Sequence, residues 1–375
     1  DGSTQPTTSY LNTYAGTSSP ASRIMVLAAA LADSAHRKVP LITASFDLEA
    51  AFLNKNPLPR SSTGGHQLLA RLPNELPNPY GGALAEITGA MYGLKQSNHI
   101  YDQNLIKTLT NAGYKSCPSN PYTFIKRCPT NKANYLIVSF HVDDGELVCT
   151  ANTTLLPEFQ KLINDRYGLT KFHTPSQGIC GIKLTTNTTN NSMHLDYSPY
   201  IQKMLTRIGM DNVPAALSPS RKGFFNLPTT PELARPLTLP ESTKFNRING
   251  ELIFLLPLRH DCKKEITWLC KAPLIADNLE KQLHLLRYLK GTPTWGPTFS
   301  SNTTDFPNGV EIHSASDSAH NVHPTTSRSH SAYTLTIGRP NAETSPFLSH
   351  SSSEKSCIPL SPTEAEYVTL STTSK

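Results

Sequence analysis

The segment Tyr135-Leu136-Ile137-Val138-Ser139-Phe140-His141-Val142-Asp143-Asp144-Gly145 is apolar until it meets a pair of acids. Tyr135 to Phe140 carry no charge and are mostly strand-prone, which predicts a buried strand that ends in two adjacent carboxylates. No Lys or Arg stands beside them, so the two acids repel each other unless a cation lies between. Pro40 to Phe46 predicts a second strand, and it runs straight into Asp47. Asp47, Asp143 and Asp144 would then gather at one edge of a sheet, as two magnesium ions require for phosphoryl transfer. Asp143-Asp144-Gly145 also suits a plain hairpin turn, and spacing alone leaves both readings open.

The chain of 375 residues is long enough for two or three units. Its 34 Lys and Arg exceed its 28 Asp and Glu, for a formal charge of +6 spread along the chain. That balance suits a polyanionic partner without requiring one. Seven cysteines, at 117, 128, 149, 180, 262, 270 and 357, form no C-x-x-C pair. Reduced thiols in an intracellular compartment are therefore expected, in place of a disulfide framework or a zinc site. No apolar run reaches the length of a membrane span, and the Asp-Gly-Ser-Thr-Gln-Pro start lacks the shape of a signal peptide. A first residue of Asp suggests a processed product or a fragment of a longer reading frame.

Along the chain, residues 1–20 read as an extended lead and Ser22 to Ala35 as a buried helix. Pro57 to Pro79 is a turn-rich excursion. Ile100, Tyr101, Leu105, Ile106 and Leu109 recur at helical spacing before a stop at Gly113. Pro121 to Lys126 predicts a strand and Thr153 to Tyr167 an amphipathic helix. Short strands are expected over Gly178 to Leu184 and Ser192 to Leu195, and a helix over Tyr200 to Ile208 behind Ser198-Pro199. Residues 211–243 read as a Pro-rich linker, and Phe245 to Leu258 as a helix interrupted near Pro257. The clearest long helix is Asp277 to Lys290, with Leu279, Leu283, Leu286 and Leu289 inside and Lys281, Arg287 and Lys290 outside. Those three cations could track a nucleic-acid backbone or simply be solvated. Gly309 to Ser316 and Ser331 to Ile337 alternate like strands, and Ser361-Pro362-Thr363-Glu364 has the spacing of a capping box before a last helix.

Taken in order, these segments resemble one family. Ser45-Phe46-Asp47-Leu48-Glu49-Ala50-Ala51-Phe52-Leu53-Asn54 resembles the first catalytic motif of the Ty1/copia class of retrotransposon reverse transcriptases. Met91-Tyr92-Gly93-Leu94-Lys95-Gln96-Ser97 resembles that family's most distinctive signature, and His141-Val142-Asp143-Asp144 its catalytic turn. Ile179-Cys180-Gly181-Ile182-Lys183 is similar to the hairpin that grips the primer. Phe245 to Leu256, His284 to Pro293, Ser314 to Asp317 and Ser361 to Leu370 resemble the connection and the start of the ribonuclease H domain.

The resemblance implies an α+β fold: a palm of antiparallel sheet with packed helices and partial fingers over 1–185, a helical thumb or connection over 186–300, and a truncated ribonuclease H-like segment over 301–375. It implies RNA-directed DNA synthesis, with Asp47, Asp143 and Asp144 binding two Mg²⁺ (or Mn²⁺) ions and the Leu48 carbonyl adding to the metal shell. Phe52 would be the steric gate against a 2′-hydroxyl, and Lys95 and Gln96 would meet the nucleotide. Without the family, Phe52 reads as a core aromatic and Lys95-Gln96 as a surface turn. Asp317 and Glu366 resemble two members of the ribonuclease H carboxylate set.

Implied partners are an RNA template with a DNA primer, deoxynucleoside triphosphates and other parts of a retroelement polyprotein, with no membrane. The implied location is the cytoplasm, a virus-like particle or the nucleus. His141 departs from the family's aromatic residue, and Asn98-His99-Ile100-Tyr101 from its Pro-Arg-Ala-Trp-like run. The basic fingers segment before the first motif and the remaining ribonuclease H acids are both expected to be missing. No ribonuclease H activity is therefore expected. The alternative function is an inactive fragment that serves as a nucleic-acid-binding or scaffold module.

Overall fold

Strands with apolar residues throughout sit at the centre of a sheet, and those flanking it decide where the acids come to rest. The structure, a computed structural model, describes residues 16–53, 56–58, 67–151, 153–187, 192–226, 228, 230–300, 311–321, 328–337, 347–354 and 359–373. Most of the expected N-terminal lead, residues 59–66 of the excursion, and Gly309 and Val310 of the expected late strand lie outside the described residues. The chain divides into two units, Asp1–Arg23 with Val39–Cys180, and Ile24–Lys38 with Gly181–Lys375. Helix α1 (Pro20–Arg37) begins in the first and continues in the second. Among the described residues, no helix is long and apolar enough to cross a membrane.

The first unit holds β1 (Leu41–Asp47), the short pair β2 (Leu69–Arg71) and β3 (Leu84–Glu86), α2 (Ser97–Asn111), β4 (Lys115–Cys117), β5 (Asn120–Arg127), β6 (Tyr135–His141), β7 (Asp144–Thr150), α3 (Leu155–Tyr167) and β8 (Lys171–His173). Its main sheet has the order β4-β5-β6-β7-β1-β8 with antiparallel neighbours. Helices α2 and α3 each present one face at i, i+4 spacing, Tyr101-Leu105-Leu109 and Leu155-Phe159-Ile163. These join Phe46, Phe124, Val138, Phe140 and Leu147 of the sheet in one buried cluster. Burial of each such side chain contributes roughly 1.5–3 kcal/mol. Gly113, with φ 86°, ends α2 as expected.

The second unit contains β9 (Lys183–Asn187), β10 (Ser192–Asp196), α4 (Ser198–Ile208), α5 (Pro231–Ala234), α6 (Leu239–Ile253), α7 (Lys263–Leu269), α8 (Ala276–Gly291), β11 (Thr298–Ser300), β12 (Ile312–Ala319), β13 (His330–Ile337), β14 (Phe347–Glu354) and α9 (Pro362–Thr373). Two antiparallel sheets have the orders β11-β10-β9 and β12-β13-β14.

Three expectations need correction here. The strand expected from Gly178 begins only at Lys183, because Gly178, Cys180 and Gly181 take positive φ angles of 87°, 52° and 76°. The helix expected from Phe245 starts at Leu239, inside the expected linker. Glu241 reaches back to accept the Thr238 backbone N–H at 2.8 Å, which satisfies a free helix-end donor. Lys281 is not outside: it is 2% exposed, paired with Asp277 at 2.7 Å, and donates to the Asn226 carbonyl at 3.1 Å. Lys290 is also engaged, donating to the Val213 carbonyl at 2.6 Å, whereas Arg287 is exposed.

Orphaning a buried charge usually costs about 3–5 kcal/mol. Lys281→Met is expected to cost less, because Arg221 stays on Asp277 at 2.5 Å. Lys281→Met combined with Arg221→Met should reach the full range in urea unfolding.

Candidate active site

The turn that joins β6 to β7 consists of Val142 and Asp143, closed by the cross-strand pair His141 and Asp144. Val142 has φ 59°, where a β-branched side chain crowds its own backbone at a cost of about 1–3 kcal/mol. Two hydrogen bonds hold that conformation. The Tyr101 hydroxyl of α2 donates to the Val142 carbonyl at 2.7 Å, and the Leu48 N–H donates to the Asp143 carbonyl at 2.9 Å. Tyr101→Phe removes the first and is expected to cost ~1 kcal/mol in urea unfolding.

The Leu48 bond also brings the third acid into place. Strand β1 ends at Asp47, whose cross-strand partner on β7 is Asp144. Residues paired directly across antiparallel strands point to the same face, with Cα atoms roughly 4.5–5.5 Å apart. Asp47 and Asp144 therefore face one way, with Asp143 tied in beside Leu48. The acids sense one another. Burial, then the charges of Asp143 and Glu49, raise the Asp47 carboxyl above its usual pKa. Burial also raises Asp144, as do Asp143 and Asp47; the Cys180 thiol, 3.6 Å from Asp144 Oδ2, and His141 oppose that rise.

Three mutually repelling hard-oxygen donors fit a hard divalent cation, with Lys171 of β8 as the cross-strand neighbour of Asp47 on the other side of β1. Among the described residues, no three His, Cys, Asp or Glu side chains form a ready-made cage for one ion. The carboxylates would have to turn toward it. Leu48 is buried by its side chain, which leaves its backbone as the part near the acids.

Gly145 follows the turn, and the Phe46 ring lies across it. A Cβ on Gly145 would sit 2.0 Å from Phe46 Cζ. Phe52, expected as a gate, is 5% exposed and belongs to the core cluster. Its ring centroid lies 5.1 Å from that of Tyr101 and 4.8 Å from that of Tyr92. Gln96 is 3% exposed, and among the described residues neither amide atom has a hydrogen-bond partner. An unsatisfied buried amide costs about 1–3 kcal/mol. Lys95 beside it is half-buried.

Sequence reasoning quoted Tyr92, Tyr101 and Cys180 within their segments but assigned none of them a place beside the acids. The break from the family run at Asn98 to Tyr101 was the available signal for Tyr101; its partner is distant in sequence. Cys180 lay in the stretch similar to the primer-gripping hairpin, but nothing local paired it with Asp144 on β7.

In the second unit, Asp317 is exposed on β12 and Glu366 lies on α9. Glu366 Oε1 accepts the Ser318 N–H at 3.2 Å, beside Asp317. Glu364 instead accepts the Leu360 N–H at 2.6 Å and its own N–H donates to Ser361 Oγ at 3.1 Å, so it serves the helix end.

The mixed α/β structure with antiparallel sheets is consistent with a reverse transcriptase domain. A family model described as reverse transcriptase (RNA-dependent DNA polymerase) matches residues 6–222, more than half of the chain, and the chain belongs to that family. It is also 23% identical over 298 residues to the retrovirus-related Pol polyprotein from transposon TNT 1-94 of Nicotiana tabacum. That match covers 78% of this chain and 21% of the relative, so the chain spans about a fifth of the relative's length.

Proposed function

We propose that this chain is the reverse transcriptase part of a retrotransposon polyprotein and extends a DNA primer on an RNA template. The observation that carries the proposal is the meeting of Asp47 with Asp144 across β1 and β7, with Asp143 tied to Leu48 beside them. Asp47, Asp143 and Asp144, with the Leu48 carbonyl, would hold two Mg²⁺ ions, with Mn²⁺ able to substitute. Bound there, the cations would lower the pKa of the primer 3′-hydroxyl and offset charge on the triphosphate. The residues themselves orient and bind. Tyr101 holds the turn that carries Asp143, and Gln96 would meet the nucleotide. Lys95 would meet phosphate, and Phe52 would bear on the sugar only if the neighbouring ring of Tyr92 swung away from it.

The palm, with partial fingers, corresponds in this reading to 1–185, the connection to 186–300 and the ribonuclease H-like segment to 301–375. Asp317 and Glu366 would be two members of a ribonuclease H carboxylate set in this reading. The chain's partners would be a primed RNA template and deoxynucleoside triphosphates, inside the cell and within a larger polyprotein.

Primer extension on a primed RNA template with Mg²⁺ or Mn²⁺ tests the proposal. DNA product that vanishes in Asp143→Asn is the expected result. No product with either metal would sink it and leave a non-catalytic binding or scaffold module.

A further inference from the structure

The hairpin of β2 and β3 turns two leucines and two charges to the same open side. Across its antiparallel strands Leu69 pairs with Glu86, Ala70 with Ala85 and Arg71 with Leu84. Side chains alternate between the faces of a strand, and directly paired residues share a face. Ala70 and Ala85 therefore lie on one face, and both are half-buried. Leu69, Arg71, Leu84 and Glu86 lie on the other, and all four are exposed, Leu69 by 51% and Leu84 by 61%. The backbone beneath them is well bonded: the Leu72 and Ile87 N–H groups extend the ladder, donating to the Ala83 and Leu68 carbonyls at 2.8 Å each. Arg71 Nη1 donates to the Gly82 carbonyl at 2.9 Å.

These four side chains stand at the corners of a small rectangle. The leucines occupy one diagonal, and Arg71 and Glu86 the other. A second copy laid face to face by a half-turn has four symmetric settings. An axis along or across the strands sets each leucine against a charge. An axis along the Arg71–Glu86 diagonal sets each charge against its own like. An axis along the Leu69–Leu84 diagonal sets each leucine against its twin and brings Arg71 to Glu86 twice. Strands about 5 Å apart with a repeat of about 6.7 Å leave a lateral offset of about 2 Å, within reach of those two long side chains. Only this last setting gives every corner a complement.

We propose that the open face of β2 and β3 is an interface between two copies of this chain, closed by Leu69 and Leu84 and by two Arg71–Glu86 ion pairs. The contact is isologous, the same patch serving both partners. It is independent of the polymerase reading. So few side chains bury far less than the roughly 800 Å² per partner of a stable complex, so the dimer is transient, with a Kd of about 10–100 µM.

Sedimentation equilibrium of the whole chain, at low salt and over concentrations that bracket this affinity, tests the proposal. The mean mass should climb from 41.1 kDa toward twice that value. Arg71→Glu and Glu86→Arg each set like charges together, and each alone should weaken self-association at least about tenfold. An equimolar mixture of these two variants should associate again, because one then supplies the acids and the other the bases. Leu84→Ser should leave the monomer. All three positions are exposed, so the variants should melt like the parent, and thermal unfolding checks this.

A parent that keeps the monomer mass throughout overturns the proposal and leaves the polymerase reading untouched. A dimer that survives both charge reversals and Leu84→Ser lies on another surface, which also overturns it. So does a mixture that stays monomeric although both variants melt like the parent. A monomer whose affinity for an RNA–DNA duplex falls in Leu84→Ser would assign the face to nucleic acid instead.

Discussion

Gly145→Ala is expected to destabilise the protein by about 3 kcal/mol or more, the upper end for overpacked cores. The new methyl would lie 2.0, 2.4 and 2.5 Å from three carbons of the Phe46 ring, far inside contact distance. Phe46 cannot step aside. It is buried against Phe140, Phe159 and Phe172, with ring centroids 5.7, 5.5 and 4.9 Å away. Gly145 has no positive φ, so the requirement is for room and not for backbone freedom. Phe46→Leu in the same chain should recover part of the loss, because the two residues compete for one space. Urea unfolding checks both variants. A single alanine that cost less than ~1 kcal/mol would show that the ring is not seated where it is described.

Asp144→Asn is expected to reduce primer extension on the order of 10³-fold, about 4 kcal/mol of barrier, while making the protein more stable at neutral pH. The sign follows from the neighbouring acids. Asp144 has a folded pKa raised above 3.8, so its protonated form is favoured in the folded state. Its contribution to stability is full below 3.8 and is lost as pH rises through the higher folded value. Asparagine removes that loss. The parent should therefore fall behind the variant in melting temperature as pH rises above about 4. Mg²⁺ should raise the melting temperature of the parent at pH 7 and leave that of the variant nearly unchanged. Identical melting curves for the two proteins across pH, with no response to Mg²⁺, would remove the electrostatic basis of the site.

The parts of this architecture legible in sequence were those written in local pattern. The uncharged run of Tyr135 to Phe140 marked β6, and the four-residue spacing of Tyr101, Leu105 and Leu109 marked α2. The acids were legible for the same reason: each follows such a run. What escaped was set by distant partners. Lys281 reads as a surface cation until Asp277 and Asn226 surround it. The start of α6 was hidden by prolines, although Thr238 and Glu241 carried a capping signal at the right spacing. Strand β14, Phe347–Glu354, is half serine and shows no apolar alternation; its pairing with β13 is what makes it a strand.

The hydrogen bond from the Leu48 N–H to the Asp143 carbonyl joins main-chain atoms, and that has an evolutionary consequence. No exchange of one L-amino acid for another, proline at 48 excepted, deletes a donor or acceptor of the backbone. Lineages that lose the carboxylates at 47, 143 or 144 would keep the skeleton that spaced them. Inactivation by drift at these positions is thus chemically shallow, and back-mutation of a silent copy would need to rebuild only side chains.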